Sequence, residues 1–242
     1  MGELFAEILR WFGTGEHWSG SDGIPAQVGT HLVYSVVATV IAALIALPVG
    51  LLIGHTGRGA FLAINLSGFG RALPSFGVVI LAFQLSGLSL VPIYLALVLL
   101  AVPVIVTNTY AGMAAVDHDV RDAARGVGLT GWQVLWQVEV PLAFPLILAG
   151  VRIATIQVVA TATIAAYFAQ GGLGRYLIEG LSTKDYTRAV IGAVLVAALA
   201  LLLDGLFAVV QKLVVPRGVS RDATRTKRST AGSATRTPVA EG

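Results

Sequence analysis

Histidine and lysine side chains can supply proton-transfer, metal-binding or phosphate-binding chemistry. The histidines are His17, His31, His55 and His118, and the lysines are Lys184, Lys212 and Lys227. No two histidines have the spacing of metal ligands, and no lysine completes the phosphate-binding pattern G-x-x-x-x-G-K-[ST]. Because the chain has no cysteine, thiolate metal sites and disulfides are also excluded. The sequence therefore predicts no catalytic residue, no metal, no cofactor and no ATP hydrolysis through such a loop.

Residues 170–175 form a glycine-rich segment, Gln-Gly-Gly-Leu-Gly-Arg. Glycine-rich turns can bind dinucleotides when they lie inside a βαβ unit. Here the segment follows a long apolar stretch, and no βαβ pattern surrounds it. We expect a turn at the outer face of a membrane.

The segment with the most informative spacing begins at Asp122, Ala123 and Ala124. Gly128 follows after three residues, and after nine more begins a second block, Val-Glu-Val-Pro, that ends at Pro141. Long apolar stretches flank the whole segment on both sides. A polar element in this position is held at a membrane surface, where another protein could reach it.

Local signals predict two short helices in this segment, joined by a glycine turn. Asp119 can cap the first helix, and Gly126 and Gly128 would end it. Thr130 followed by Gln133 has the form of a capping box, which begins a second helix. The small alanines would leave no bulky side chain at the tip, so that another surface could approach closely.

A soluble helix-turn-helix is the alternative for this segment, because an alanine four residues before a turn glycine also occurs in DNA-binding modules. The acidic side chains of the segment offset its arginines, however, and apolar stretches lie on either side. Nucleic acid is not expected as a partner.

The composition is that of a membrane protein. Of the 242 residues, 56% are hydrophobic and 12% are charged, whereas an ordinary soluble domain has about 25% charged residues. We therefore expect an all-α polytopic membrane protein with one membrane domain and no second soluble domain. Residues 1–30 would form an amphipathic N-terminal segment, residues 31–216 the membrane domain with its polar loop at 113–141, and residues 217–242 a disordered basic tail.

Five stretches are apolar over the ~20 residues that a spanning helix needs. They are residues 31–53, 60–85, 90–113, 142–168 and 189–215. The second contains Arg71, which would cost about 2.5–3.5 kcal/mol at the bilayer centre. We expect an interfacial piece up to Gly70 and then a span that starts near Leu73; if both pieces cross, the count becomes six.

Orientation follows from the basic tail, which holds six arginines and lysines. The positive-inside rule keeps such a tail in the cytoplasm, and with five spans this puts loop 113–141 on the cytoplasmic side. The bases Arg175, Lys184 and Arg188 between the last two spans argue in the opposite direction. We expect the tail to dominate and to be solvated, with contact to anionic lipid as the alternative; membrane lipid is the expected surroundings of the spans.

Polar side chains inside the spans are candidates for a passage, because burying them in lipid is costly. Asn108, Gln157, Thr161 and Thr163 are the candidate pathway residues. The alternative is that the threonines bond the backbone of their own helix. Asp204 is a lone acid in the last span, and it could pair with Arg152 or Lys212.

The spacing around Asp122 resembles the cytoplasmic loop of the membrane subunits of bacterial ABC importers. That family's pattern is E-A-A, three residues, G, nine residues and I-x-L-P. Ala123, Ala124, Gly128 and Pro141 match it, whereas Asp122 replaces the glutamate and two valines replace isoleucine and leucine. The resemblance implies a type I ABC importer transmembrane domain, whose short coupling helix docks in a groove of the ATPase subunit.

Further stretches resemble the permeases of the osmoprotectant group, which take up glycine betaine, carnitine, choline or proline. They are residues 46–50, 71–75, 145–152, 160–166 and 171–174. Related permeases for methionine or sulfonates share some of them, so another small solute stays an alternative. A secondary transporter or a membrane scaffold is further from the pattern, because the spans contain only Asp204 as an acid and no repeat is visible.

The resemblance also implies partners and a location. Cytoplasmic ABC ATPase subunits would supply the energy, an extracytoplasmic substrate-binding protein would deliver the solute, and a second copy or a related permease would complete the passage. The chain would lie in the bacterial cytoplasmic membrane with its C-terminus in the cytoplasm.

Overall fold

The structure is a computed structural model that describes residues 2–61, 65, 68, 74–86, 89–168 and 171–214. The expectations for Arg71 and for the basic tail lie outside the described residues, as do residues 62–64, 66–67 and 69–73 of the predicted second span. The helices, in chain order, are α1 Gly2–Gly13, α2 Ile24–Thr56, α3 Ser75–Ser86, α4 Val91–Ala114, α5 His118–Gly126, α6 Gly131–Val134, α7 Val140–Ala162, α8 Gly174–Thr183 and α9 Tyr186–Val214. The 3-10 turns Gly15–Trp18 and Thr163–Phe168 and the π-helical turn Leu135–Glu139 lie between them.

Four helical segments of the described part are long and apolar enough to cross a membrane: Ile24–Thr56, Val91–Ala114, Gly131–Phe168 and Tyr186–Val214. They confirm the first, third, fourth and fifth predicted spans. Within the second, the structure describes α3, whose 12 residues are fewer than the ~20 that a full span needs. Three of these segments begin earlier than predicted, at Ile24, Gly131 and Tyr186, because the added residues include polar ones and hydropathy marks only the apolar part.

A row of small residues on α2 brings this helix close to α4. Ala38, Ala42 and Ala46 have no exposed surface, and the row continues through Gly50 and Gly54. A Cβ atom added at Gly54 would lie 2.3 Å from Cβ of a methionine on α4. Because lipid tails are as apolar as the helices, helix association in a membrane depends on such close packing.

Helix α7 crosses α4 in the same way. A Cβ atom added at Gly150 would lie 2.5 Å from Cβ of Asn108, so the two backbones approach closely at this level. Helices α2, α4 and α7 together form the main core, in which Ile105 and Ala154 have no exposed surface. These three helices position the polar segment that follows α4.

The predicted glycine-rich turn closes the opposite end of the bundle. Gly171 and Gly172 have φ angles of +76° and +82°, which glycine adopts without a steric penalty. The Gly172 N–H donates a hydrogen bond of 2.7 Å to Oε1 of Gln27, at the start of α2. His31 of α2 bonds the Val159 carbonyl of α7 at 2.9 Å. The turn is therefore part of the packing between helices.

Ion pairs attach α8 to its neighbours at this end. Arg175 bonds both Glu179 and Asp22, and Glu179 also accepts from Arg188 at the start of α9. The hydrogen bond to Glu179 raises the pKa of Arg175 above its usual value. Helix α8 is thus held to the entry of α2 and to α9.

Candidate functional site

Helix α5 begins at a side-chain cap, but the capping residue is Asp117 and not the predicted Asp119. Oδ1 of Asp117 accepts a hydrogen bond of 2.9 Å from the Asp119 backbone N–H. Asp119 lies in the first turn, where a carboxylate is favoured by the helix dipole. Both acids can stabilise the start of a helix, but only Asp117 has the non-helical backbone conformation of a capping residue.

The glycine turn after α5 is confirmed. The Val127 N–H donates to the Ala123 carbonyl at 3.1 Å, and the Leu129 N–H donates to the Ala124 carbonyl at 3.2 Å. Gly128 lies between them with a φ of +92°, in the left-handed region that favours glycine. Glycine is therefore the favoured residue at this position, where the chain reverses.

The second helix begins at the predicted capping box, in which Thr130 and Gln133 bond each other's backbone N–H groups. It is not a separate short helix, however. It runs through the π-helical turn Leu135–Glu139 into α7, and Pro141 lies in the first turn of α7. Because proline lacks the N–H for an i→i−4 bond, a widened turn immediately before it keeps the helix continuous.

The two alanines of the motif lie on different faces of α5. Ala123 is exposed, whereas Ala124 is 8% exposed and packs inward. Ala124 therefore does not face the exposed tip, and the part of both alanines in ATPase coupling stays a prediction. Asp122 is exposed beside Ala123, and its carboxylate lies 3.1 Å from Nδ1 of His118 and 3.6 Å from Arg125.

Large apolar side chains are exposed around this polar tip. Val127 is 81% exposed and Trp132 is 69% exposed; Trp132 and Trp136 meet edge to face with their centroids 5.5 Å apart. Val120 is also exposed on α5. A cluster of this kind marks an interaction surface when it is rimmed by polar residues. Sequence reasoning missed the two tryptophans, although their spacing of four residues on a helix was a visible signal.

A buried carboxylate lies behind the tip. Glu139 has no exposed surface, and its Oε2 is 2.5 Å from Nδ1 of His55. Its Oε1 is 3.1 Å from Nε of Arg121, but the N–H does not point at the oxygen, so the contact is an ion pair and not a hydrogen bond. Sequence reasoning missed this cluster; the signal was an acid placed directly before an apolar span.

The predicted pathway residues do not converge on one place. Asn108 packs against Gly150 and donates to the Val104 carbonyl of its own helix at 2.8 Å. Gln157 lies seven residues beyond Gly150 on α7, about 10 Å along the axis. Their role in a passage stays a prediction.

The two candidate threonines differ in burial. Thr161 is 8% exposed, near the end of α7. Thr163 begins the 3-10 turn, and its hydroxyl is buried without a hydrogen-bond partner among the described residues. By contrast, the Thr155 hydroxyl bonds the carbonyl of Val151 in its own helix at 2.8 Å, which agrees with the alternative interpretation of these side chains.

Arg152 and Asp204 form a two-point ion pair between α7 and α9. Nε and Nη2 of Arg152 each lie 2.6 Å from one oxygen of Asp204. The pairing named from the sequence is confirmed for Arg152. The two opposite charges, each on a helical segment long enough to span a membrane, neutralise each other, which agrees with a structural role.

The long apolar helices and the polar element between α4 and α7 define an all-α polytopic membrane protein with the transmembrane fold of a type I ABC importer. The fold matches a chain of the MetNI methionine ABC transporter, solved in an inward-facing conformation, with a TM-score of 0.68. The match covers 78% of this chain and 95% of that chain, at 19% identity. At this identity the likeness shows the fold alone.

The chain belongs to the family described as binding-protein-dependent transport system inner membrane component, whose model matches residues 38–217. It is therefore a permease component, and a multi-pass membrane protein. It is 35% identical over 193 residues to the glycine betaine/carnitine/choline transport system permease protein OpuCB of Bacillus subtilis (strain 168), covering 80% of this chain and 89% of that protein.

Two other relatives carry similar names. The choline transport system permease protein OpuBB of Bacillus subtilis (strain 168) is 33% identical, with 79% of this chain and 88% of that protein covered. The osmoprotectant import permease protein OsmY of Salmonella typhimurium is 35% identical, with 74% and 76% covered.

Proposed function

We propose that this chain forms the translocation pathway of an ATP-driven importer for an osmoprotectant such as glycine betaine, carnitine, choline or proline. The observation that carries the proposal is the similarity, over 74% to 80% of this chain, to permeases that are named for such solutes. The likeness to the methionine transporter concerns the fold, so it does not favour methionine as the solute.

ATP hydrolysis takes place in separate cytoplasmic ATPase subunits, and the polar tip of α5 docks on them. Three features support this part of the proposal. Asp122 and Ala123 are exposed at the tip, Gly128 fixes the turn, and the exposed side chains of Val127 and Trp132 offer apolar area to a partner. Docking on a cytoplasmic ATPase places this end of the bundle inside the cell, and the C-terminus with it.

An extracytoplasmic binding protein delivers the solute to the opposite end, where α8 and the start of α9 lie. A second copy of the chain or a related permease completes the passage. Helix α9 has an apolar face that the described residues leave uncovered, with Leu202 72% and Leu213 80% exposed. Lipid and the second permease share this face.

Uptake by the assembled complex tests the solute. The chain, its cognate ATPase and its cognate binding protein are reconstituted in liposomes that contain ATP, and labelled glycine betaine, choline and methionine are offered separately. We expect ATP-dependent accumulation of a quaternary ammonium solute and none of methionine. Accumulation of methionine alone, or the same uptake from liposomes that lack this chain, would refute the assignment.

Co-purification tests the docking site. Ala123→Arg puts a long charged side chain at the exposed tip, and we expect it to prevent the ATPase subunit from co-purifying. Ala114→Arg is the matched control, because this alanine is also exposed but lies at the end of α4, outside α5. An ATPase subunit that binds equally to both variants would count against docking through α5.

A further inference from the structure

Helix α5 has little packing of its own with the membrane helices. Ala124 is its only buried residue among the described ones, and Arg121 is the only other side chain of the helix that is not exposed. One alanine contributes little apolar area, so packing alone would hold the helix weakly. Non-helical connections on either side, residues 115–117 and 127–130, separate it from α4 and from α6.

Arg121 joins this helix to the ends of three longer ones. Its guanidinium donates a hydrogen bond to the carbonyl of Met113, in the last turn of α4. It also forms the ion pair with Glu139, which directly precedes α7. Glu139 in turn contacts His55, in the last turn of α2, at 2.5 Å.

Burial makes this connection hard to open. The side chains of Arg121 and His55 are 15% and 21% exposed, and that of Glu139 is not exposed at all. Separating Arg121 from Glu139 would leave a carboxylate away from water without its cationic partner, which is strongly unfavourable. By contrast, the pair of Arg125 with Asp122 on the same helix is more than half exposed, and such surface pairs contribute little.

We infer that Arg121 and Glu139 are positioning residues that make α5 and the adjoining ends of α2, α4 and α7 move as one body. The inference rests on the proposed docking of α5 on an ATPase. A displacement of the tip then moves the ends of all three helices together. Without the ion pair, α5 pivots on its connections and the three helices stay in place.

The coupling ratio is the first test, measured in liposomes as solute taken up per ATP hydrolysed. Arg121→Gln keeps the exposed tip, so the ATPase subunit still binds and hydrolyses ATP, but we expect the ratio to fall about tenfold because the buried carboxylate loses its ion pair with α5 and keeps only the contact with His55. Arg121→Lys retains the charge without the forked geometry, and we expect an intermediate ratio. Arg58→Gln is the matched control, since Arg58 is an exposed base just beyond α2.

A merely structural role would give a different result. It would lower the amount of assembled complex but leave uptake per ATP unchanged in the complexes that do assemble. A wild-type ratio in assembled Arg121→Gln complexes would therefore overturn the inference.

A distance measurement tests the same inference without any solute. The chain has no cysteine, so spin labels can be attached through Asp119→Cys, in the first turn of α5 and outside the proposed docking residues, and through Leu52→Cys on α2, both exposed. We expect the label distance to be the same in nucleotide-free and ATP-bound complexes, and to change with nucleotide in Arg121→Gln. A wild-type distance that changes on ATP binding would overturn the inference even if no variant assembles. If wild-type liposomes take up no osmoprotectant, the proposed solute is wrong, but the label distance still decides the role of Arg121.

Discussion

Gly128→Ala should weaken the turn that presents α5, by an amount that follows from the backbone. Nothing lies within 4 Å of a Cβ atom added at this position, so the new methyl group meets no neighbour. The cost is therefore the left-handed conformation, since the φ of Gly128 is +92°. A residue with a Cβ pays about 1–2 kcal/mol there, which corresponds to a roughly 5- to 30-fold increase in local opening.

Hydrogen exchange of the two amides that close the turn measures this change. The N–H groups of Val127 and Leu129 bond the carbonyls of Ala123 and Ala124, and both should lose protection by about the same 5- to 30-fold factor. Amides in the middle of α4 should exchange as before.

Gly126→Ala is the control. A Cβ atom at Gly126 also has nothing within 4 Å, but this glycine is the last residue of α5 and has no positive φ. Alanine there should increase protection slightly, by up to about 1 kcal/mol. Equal protection of the turn amides in the Gly128→Ala and Gly126→Ala variants would refute the argument from backbone conformation.

Three further substitutions test the packing, the ion pair within the spans and the exposed surface. Gly54→Val should destabilise the chain by about 1–3 kcal/mol because its side chain overlaps a methionine of α4. Thermal unfolding in detergent measures this change, and Gly205→Val is the control, because nothing lies within 4 Å of a Cβ atom added at Gly205. Arg152→Leu should reduce the amount of folded chain in membranes, because it leaves the charge of Asp204 unpaired. Adding Asp204→Leu should restore that amount, and a double variant that yields less folded chain than Arg152→Leu alone would contradict this. Trp132→Ala should weaken ATPase binding by about 2 kcal/mol if this side chain is a central contact, and unchanged affinity in a titration would exclude it.

Local signals in the sequence were sufficient for the helix ends of the polar segment. The capping box at Thr130 and the turn at Gly128 depend on neighbours within four residues, and both are confirmed. Asp117 and Asp119 illustrate the limit of such signals, because both can cap a helix and only the backbone conformation selects one. The long helices were predictable because an apolar stretch of sufficient length has few alternatives in a membrane.

Contacts between distant residues were predictable only where few partners were available. The pairing of Asp204 with Arg152 could be named because the spans contain few charges. The cluster around Glu139 could not, since His55 is 84 positions away and lies at a helix end where a histidine could equally face water. Which of Ala123 and Ala124 faces inward likewise depends on how α5 is rotated, which neighbouring helices decide.

The unbroken helical segment Gly131–Phe168 has a geometric consequence. Its 38 residues make a rod of about 57 Å, nearly twice the thickness of a hydrocarbon core of about 30 Å. Tilting such a rod by about 10° around its midpoint displaces its two ends by about 5 Å in opposite directions. Such a tilt, about a point inside the bilayer, couples a sideways shift beside the α5 turn to a shift in the opposite direction at the far end. The segment's own hydrogen bonds need not change.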